Sequence, residues 1–306
     1  MKRVMVLANL RAMTRRRYAA ALVVLATTAV QLVAVSPAHA GITGLIVVSQ
    51  STSAGTPKTS ASISVACPGF KKVVAGGATV SFERGSTAYG HVAINASYPE
   101  ANTWKALAVE DSTMPLGDWY LTSHAICVDN PAGLEVVKTS SAMGVHNGGI
   151  GVFANCPVGK KVLGFGAQVD MPSLDGSVTL HQFNPTSALG TVEAWASGAG
   201  TSVQWQLSSY AVCVNPVPQQ VRVIEATGYT PNPKNVVAQC PAGTTTFGVG
   251  GVIGELALGD PVTVNATAFT YLRTGDAFPL VMVADYGAGT SYPWQARVVA
   301  VCAEAM

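Results

Sequence analysis

Three times the chain sets a tryptophan eight residues ahead of a cysteine: "WYLTSHAIC" ends at Cys127, "WQLSSYAVC" at Cys213 and "WQARVVAVC" at Cys302. Each is preceded, 57 to 62 residues upstream, by a second cysteine followed by proline: Cys67-Pro68, Cys156-Pro157 and Cys240-Pro241. Two cysteines per copy use all six in the chain, and the copies recur every 84 to 89 residues. A period of this size restricts the chain to folds that three like units can build together.

Parity turns the pattern into structure, because side chains along a strand alternate between its two faces. Trp294, Ala296, Val298, Ala300 and Cys302 share one face, and Gln295 and Arg297 take the other. The same spacing unites Trp205, Leu207, Ser209, Ala211 and Cys213, and Trp119, Leu121, Ser123, Ala125 and Cys127. The tryptophan–cysteine face is therefore the core face. Upstream, Val236, Ala238 and Cys240 alternate inward, as do Ile63, Val65 and Cys67. Six cysteines allow about 15 pairings. Pairing within copies, Cys67 with Cys127, Cys156 with Cys213 and Cys240 with Cys302, treats the copies alike without linking them. Closing a loop of about 60 residues stabilises a copy by roughly 4 kcal/mol on the chain-entropy model.

Between its cysteines each copy carries short alternating runs bounded by Gly, Ser, Asn and Pro. "HVAINASYP", "VTLHQFNP" and "VTVNATAF" align from Val92, Val178 and Val262, and "WKALAVED", "TVEAWASG" and "PLVMVADY" follow. "GAGTS" before Trp205 and Trp294 has too few glycines for a dinucleotide fingerprint and precedes a strand, so it reads as a hairpin turn. No helical period follows residue 40. The expectation is an all-β protein of three tandem antiparallel sandwich-like repeats, 41–130, 131–216 and 217–306, behind a leader at 1–40. The joints "DNPAG" and "NPVPQQ" are too short for loose tethers, so the copies pack either in a row or as a closed pseudo-threefold assembly. Gly77, Gly166 and Gly250, each ten residues past the first cysteine, mark a bulge or a close approach of backbone to backbone.

The C-P-x-G-x-x-V-x-G-x-G-A start and the W-x-L-x-x-Y-A-V-C end resemble repeats of secreted, often actinobacterial, proteins that mostly lack an assigned function. The resemblance spans residues 44 to 303 and implies a fold rather than a chemistry. The first copy departs at Phe70, where the others have Gly159 and Gly243, and the third has Thr244 and Thr245 in place of lysines.

The leader places Lys2, Arg3, Arg11 and Arg15 to Arg17 before an apolar stretch and "AHA", the layout of a signal peptide cleaved after Ala40. "TRRRYAA" resembles a twin-arginine motif, but the general export route is the stronger expectation. The leader holds six of the 18 Lys and Arg and none of the 16 Asp and Glu, which leaves 12 against 16, or −4, on the mature chain. Without a basic cluster nucleic acid is not an expected partner. No membrane span is expected after cleavage, and the product is expected to be secreted.

No cysteine has a second Cys or His at zinc-site spacing, and the glycines after each Cys-Pro lead into a strand where a phosphate loop leads into a helix. No metal site and no cofactor is expected. His91, His124, His146 and His181 sit at inequivalent positions, and the acidic pairs Glu110/Asp111 and Asp170/Asp175 form no recognisable catalytic motif. His124 falls on the outward parity, where a solvated ring is the simpler reading. Tyr286 and Tyr292 could stack on a sugar. What recurs is the Cys, Pro, Gly, Trp and Ala that a fold requires. No catalytic residue is assigned. The expectation is a non-enzymatic extracellular binding or surface-structural protein whose ligand, a glycan or a protein, is unspecified. A lectin-like protein is the first alternative and a secreted hydrolase the second.

Overall fold

A computed structural model describes residues 41–53, 59–83, 86, 88, 91–110, 117–174, 176–198, 201–228, 234–255, 267–273, 280–285 and 294–306, with backbone alone at 234, 254–255, 267–273 and 280–285. The leader, Asp111, Asp175, Tyr286, Tyr292 and the glycine turn before Trp294 lie outside these residues. Among them there is no helix long and apolar enough to cross a membrane. Eighteen strands are described, six in each sequence copy. The first copy contributes β1 (Ile46–Ser51), β2 (Ser60–Ala66), β3 (Lys72–Phe82), β4 (Val92–Glu100), β5 (Thr103–Glu110) and β6 (Trp119–Val128). The second contributes β7 (Glu135–Ser140), β8 (Gly149–Asn155), β9 (Lys161–Asp170), β10 (Thr179–Pro185), β11 (Thr191–Ser197) and β12 (Gln206–Val214). The third contributes β13 (Val221–Ala226), β14 (Lys234–Val237), β15 (Thr245–Glu255), β16 (Thr267–Arg273), β17 (Leu280–Asp285) and β18 (Trp294–Ala303).

The strands form three antiparallel six-stranded sheets, ordered β1-β6-β3-β16-β17-β14, β13-β18-β15-β10-β11-β8 and β2-β5-β4-β9-β12-β7. Each sheet joins three strands of one copy to three of another. The seams are β4 to β9, β10 to β15 and β16 to β3, so the pairing runs from copy one to two, two to three and three back to one. The arrangement is a closed ring of shared sheets, and the described residues from Gly41 onward belong to one compact unit. Every seam consists of two paired positions: Ala96 with Gln168 and Ser97 with Ala167; Gln182 with Val252 and Phe183 with Gly251; Tyr271 with Thr79 and Leu272 with Ala78. This register makes Ala96, Gln182 and Tyr271 equivalent, so Thr267 rather than Val262 stands opposite Val92 and Val178. The two alignments differ by five residues, an odd shift, so they assign opposite parities to the inward face, and the alternation of "VTVNATAF" does not carry over into β16.

The two half-sheets of a copy face one another and are tied by a disulfide. Cys67–Cys127, Cys156–Cys213 and Cys240–Cys302 have Cα atoms 5.6, 5.7 and 5.7 Å apart. Three such bonds belong to a chain that folds in an oxidising compartment, as outside the cell. Trp119, Trp205 and Trp294 are at most 1% exposed and share one core across the copies, and the residues that alternate with them toward each cysteine are buried, those nearest the cysteine of the first copy, Ala125 and Cys127, in a smaller cluster with Trp104. Bulges recur in register. Val74, Leu163 and Phe247 are the extra residues of β3, β9 and β15, and all three are fully buried in a second cluster with Ile42, Ile126 and Val212. A bulge re-aims one side chain without ending the pairing, and here it turns one apolar residue per copy toward the others.

The Cys-Pro stretch closes a turn in which the residue three past the proline donates its N–H to the proline carbonyl: Lys71 to Pro68 (3.3 Å), Lys160 to Pro157 (3.0 Å) and Thr244 to Pro241 (3.0 Å). Gly159 and Gly243 have φ of 85° and 81° at the third turn position, as a type II turn demands. In the first copy the positive φ, 59°, falls one residue earlier, on Gly69, as in the mirror-image class. Phe70 thereby needs no glycine and projects into solvent, 99% exposed. The lysines are clamps: Lys71 reaches Gly44 O (2.5 Å) and Asp129 (2.9 Å), and Lys160 reaches Glu135 (2.5 Å). Lys71 and then Thr43 hold the Asp129 carboxyl below its ordinary value by bonding its charged form. In the third copy Thr244 donates its hydroxyl to Pro241 O instead (2.7 Å).

Candidate functional site

The histidines and carboxylates singled out from the sequence occupy separate places. His124 spans two strands, with Nδ1 2.7 Å from Ser49 Oγ and Nε2 3.0 Å from Thr79 Oγ1. It is a cross-strand clip rather than a solvated ring, because hydroxyls of β1 and β3 flank it on both sides. His146 stands edge-on to Trp205, 5.0 Å between centroids. His181 is the bulged residue of β10, where burial pushes its pKa down to about 4, so the ring is neutral near pH 7. His91 follows Ala88 in a turn closed by its own N–H (2.9 Å). Glu110 is fully buried and accepts the Trp119 indole N–H at 3.1 Å, while Asp170 is exposed at the end of β9. Among the described residues no three His, Cys, Asp or Glu side chains are placed to share a metal ion.

The seam glycines are contact points of backbone. A Cβ on Gly166 would stand 2.2 Å from Ser97 O, and one on Gly250 2.2 Å from Phe183 O, the equivalent carbonyl. That close approach fixes the outward-facing rows that cross each seam in the same register. One row runs Gly151, Trp195, Gln182, Val252, Arg297, Ala226. The second runs Ser62, Leu107, Ala96, Gln168, Ser208, Ser140. The third, Asn235, Met282, Tyr271, Thr79, Thr122, Ser51, is placed by its backbone. Position matches position, and chemistry does not.

In the Ala96 row the small central residue leaves a groove of about 270 Å³, lined by Ser62, Ser64, Tyr98, Lys105, Leu107 and Gln168 among others. Tyr98 on its wall stacks on Tyr210, centroids 4.7 Å apart and planes at 23°, a contact that reaches over β9 from one copy to the next. Tyr210 donates to Gln168 Oε1 (2.8 Å), and Lys138 Nζ lies 5.4 Å from its ring centroid. Burial raises both tyrosine pKa values, so both phenols stay protonated in any neutral medium. Lys105 is ion-paired to Glu100, and the hydrogen bond raises its pKa.

The row through Trp195 presents an aromatic surface instead. The three indole atoms nearest a Cβ built on Gly151 lie at 2.7, 2.7 and 2.9 Å, near-equal distances that put the ring face-down on the glycine. Phe153 stands perpendicular beside it, 6.2 Å between centroids. Gln182, directly across from Trp195, donates Nε2 to Glu193 Oε2 (3.3 Å). Sequence reasoning passed over Trp195, although a signal was present: in "TVEAWAS" Val192, Ala194 and Ala196 are buried, and the tryptophan falls on the parity of Thr191 and Glu193. The sequence matches no protein-family model and no curated protein.

Proposed function

We propose that the chain is an exported, non-enzymatic protein that acts outside the cell as a binding or surface-structural component, after cleavage of its leader behind Ala40. One observation carries this reading: three rows cross the seams in identical register, on a frame tied by disulfides and, at two seams, by close-packed glycines, and their residues differ at almost every position. A rigid frame that varies on its surface suits recognition or assembly. The scattered histidines, the indole-bound Glu110 and the resemblance to secreted bacterial repeats support it. Carbohydrate binding is the second reading, favoured by the upturned Trp195.

The test joins a glycan array, sedimentation of the purified mature protein, and assays on generic glycoside and ester substrates. Glycan binding or self-association, with no turnover, is the expected result. Hydrolysis abolished by replacing a single histidine or carboxylate would overturn the reading.

A further inference from the structure

Trp195 is unlike the other tryptophans in one respect that bears on ligands. Trp104, Trp119, Trp205 and Trp294 are at most 1% exposed, whereas Trp195 is only partly buried on the outside of its sheet. One ring face rests on the Gly151 backbone and the other points away from the protein. An aromatic side chain laid over a strand glycine stabilises the sheet by covering exposed backbone. That accounts for the ring's lower face and leaves the polar surroundings unexplained. Gln182 and Glu193 are bonded to each other through one amide hydrogen, which leaves the amide carbonyl and the second carboxylate oxygen uncommitted among the described residues.

We infer that this face binds a saccharide, with the open face of Trp195 as stacking platform and Gln182 and Glu193 as partners for ring hydroxyls. The inference rests on the binding reading above and names its ligand class. A flat indole selects a sugar ring with an apolar face of axial C–H bonds, and the β-linked gluco configuration, whose hydroxyls are all equatorial, presents the C1, C3 and C5 hydrogens on one face and those of C2 and C4 on the other. Its equatorial hydroxyls then leave at the edge, where the Gln182 amide and the Glu193 carboxylate supply a donor and acceptors. An apolar protein surface would match the ring and strand the uncommitted amide and carboxylate oxygens, which is costly.

The experiment uses the disulfide-intact mature protein, microcrystalline cellulose and chitin for retention, and cellohexaose and chitohexaose for titration. Because four of the five tryptophans are buried, quenching of fluorescence by acrylamide reports chiefly Trp195. The hexaoses should protect it, and Trp195→Ala should weaken retention about tenfold or more. Trp195→Phe should keep part of the binding, and Gln182→Ala should lower it severalfold at unchanged near-ultraviolet circular dichroism. These two variants decide the matter if Trp195→Ala does not fold. A wild-type protein that ignores both polysaccharides overturns the inference, and so does undiminished binding by the variants. Self-association or a protein partner in that case would leave the broader reading standing, and turnover of a substrate would remove it.

Discussion

Copies one and two solve the same packing problem with the bulk on opposite sides. In the first, Trp104 fills the space and β3 gives way with Gly76, whose absent Cβ would sit 2.4 Å from the indole. In the second, Phe165 occupies the position of Gly76, and Val192 that of Trp104. The equivalence is secured by a shared hydrogen bond, Ser123 Oγ to Trp104 O (2.9 Å) and Ser209 Oγ to Val192 O (3.0 Å). Trp104, Phe165 and Val192 are all fully buried. The constraint therefore acts on the pair of positions and their summed volume, as close packing requires. Polar groups follow a different rule. Trp119 has Glu110 as acceptor, while Gly198 stands in that place beside Trp205, whose buried indole N–H has no partner.

The comparison breaks most completely if a staple is removed. Replacing Cys156 and Cys213 by alanine should cost about 4 kcal/mol in denaturant-induced unfolding of the whole protein. Because the sheets are shared, the loss should appear as one lowered transition. A separate early transition confined to the second copy would show that copies unfold singly. The next effect is that of the volume exchange. Gly76→Phe alone should destabilise by about 3 kcal/mol through overpacking, and Trp104→Val alone by a similar amount through a cavity. The double variant recreates the second copy's solution and should cost clearly less than the sum. Additive costs would mean that the two positions do not share one space.

The smallest effect concerns the second bulge, where Asn95 in copy one stands in the place of His181 in copy two. Asn95 is 1% exposed and donates to Val178 O (3.0 Å). Burial holds the His181 ring at about pKa 4. Above pH 6.5 both folded and unfolded rings are neutral and the site contributes no pH dependence. As pH falls below that, the unfolded chain takes up a proton that the folded chain refuses, and stability declines until the folded ring protonates near 4. His181→Asn should remove this decline, on the order of 1–2 kcal/mol between pH 7 and 4.5 after allowing for partial exposure. An unchanged pH profile would show that the ring titrates normally.

Within each copy the sequence was informative because the evidence is local: a tryptophan and a cysteine at even spacing share a face wherever the strand lies. The joints between copies are different in kind. A seam of two paired residues leaves no run long enough to show as a pattern, and its requirement surfaces only as a glycine whose partner carbonyl belongs to another copy. The misplaced start of β16 has a related origin, since "VTVNATAF" alternates on its own account and only the seam register tells which parity of β16 matches β4 and β10. Trp195 illustrates a third limit. Its parity is legible along β11, but that it has a glycine for a floor depends on which residue of β8 lies opposite.

The seams also determine how many copies such a protein contains. Each copy presents one edge of β3 type and one of β4 type, and the two are complementary to each other rather than to themselves. Contacts of that kind are heterologous, and repeated head to tail they yield either a ring or an endless filament, according to the rotation per step. Here the rotation closes at three. With only two of these copies one edge of each type would stand bare, so it is the third that closes the ring.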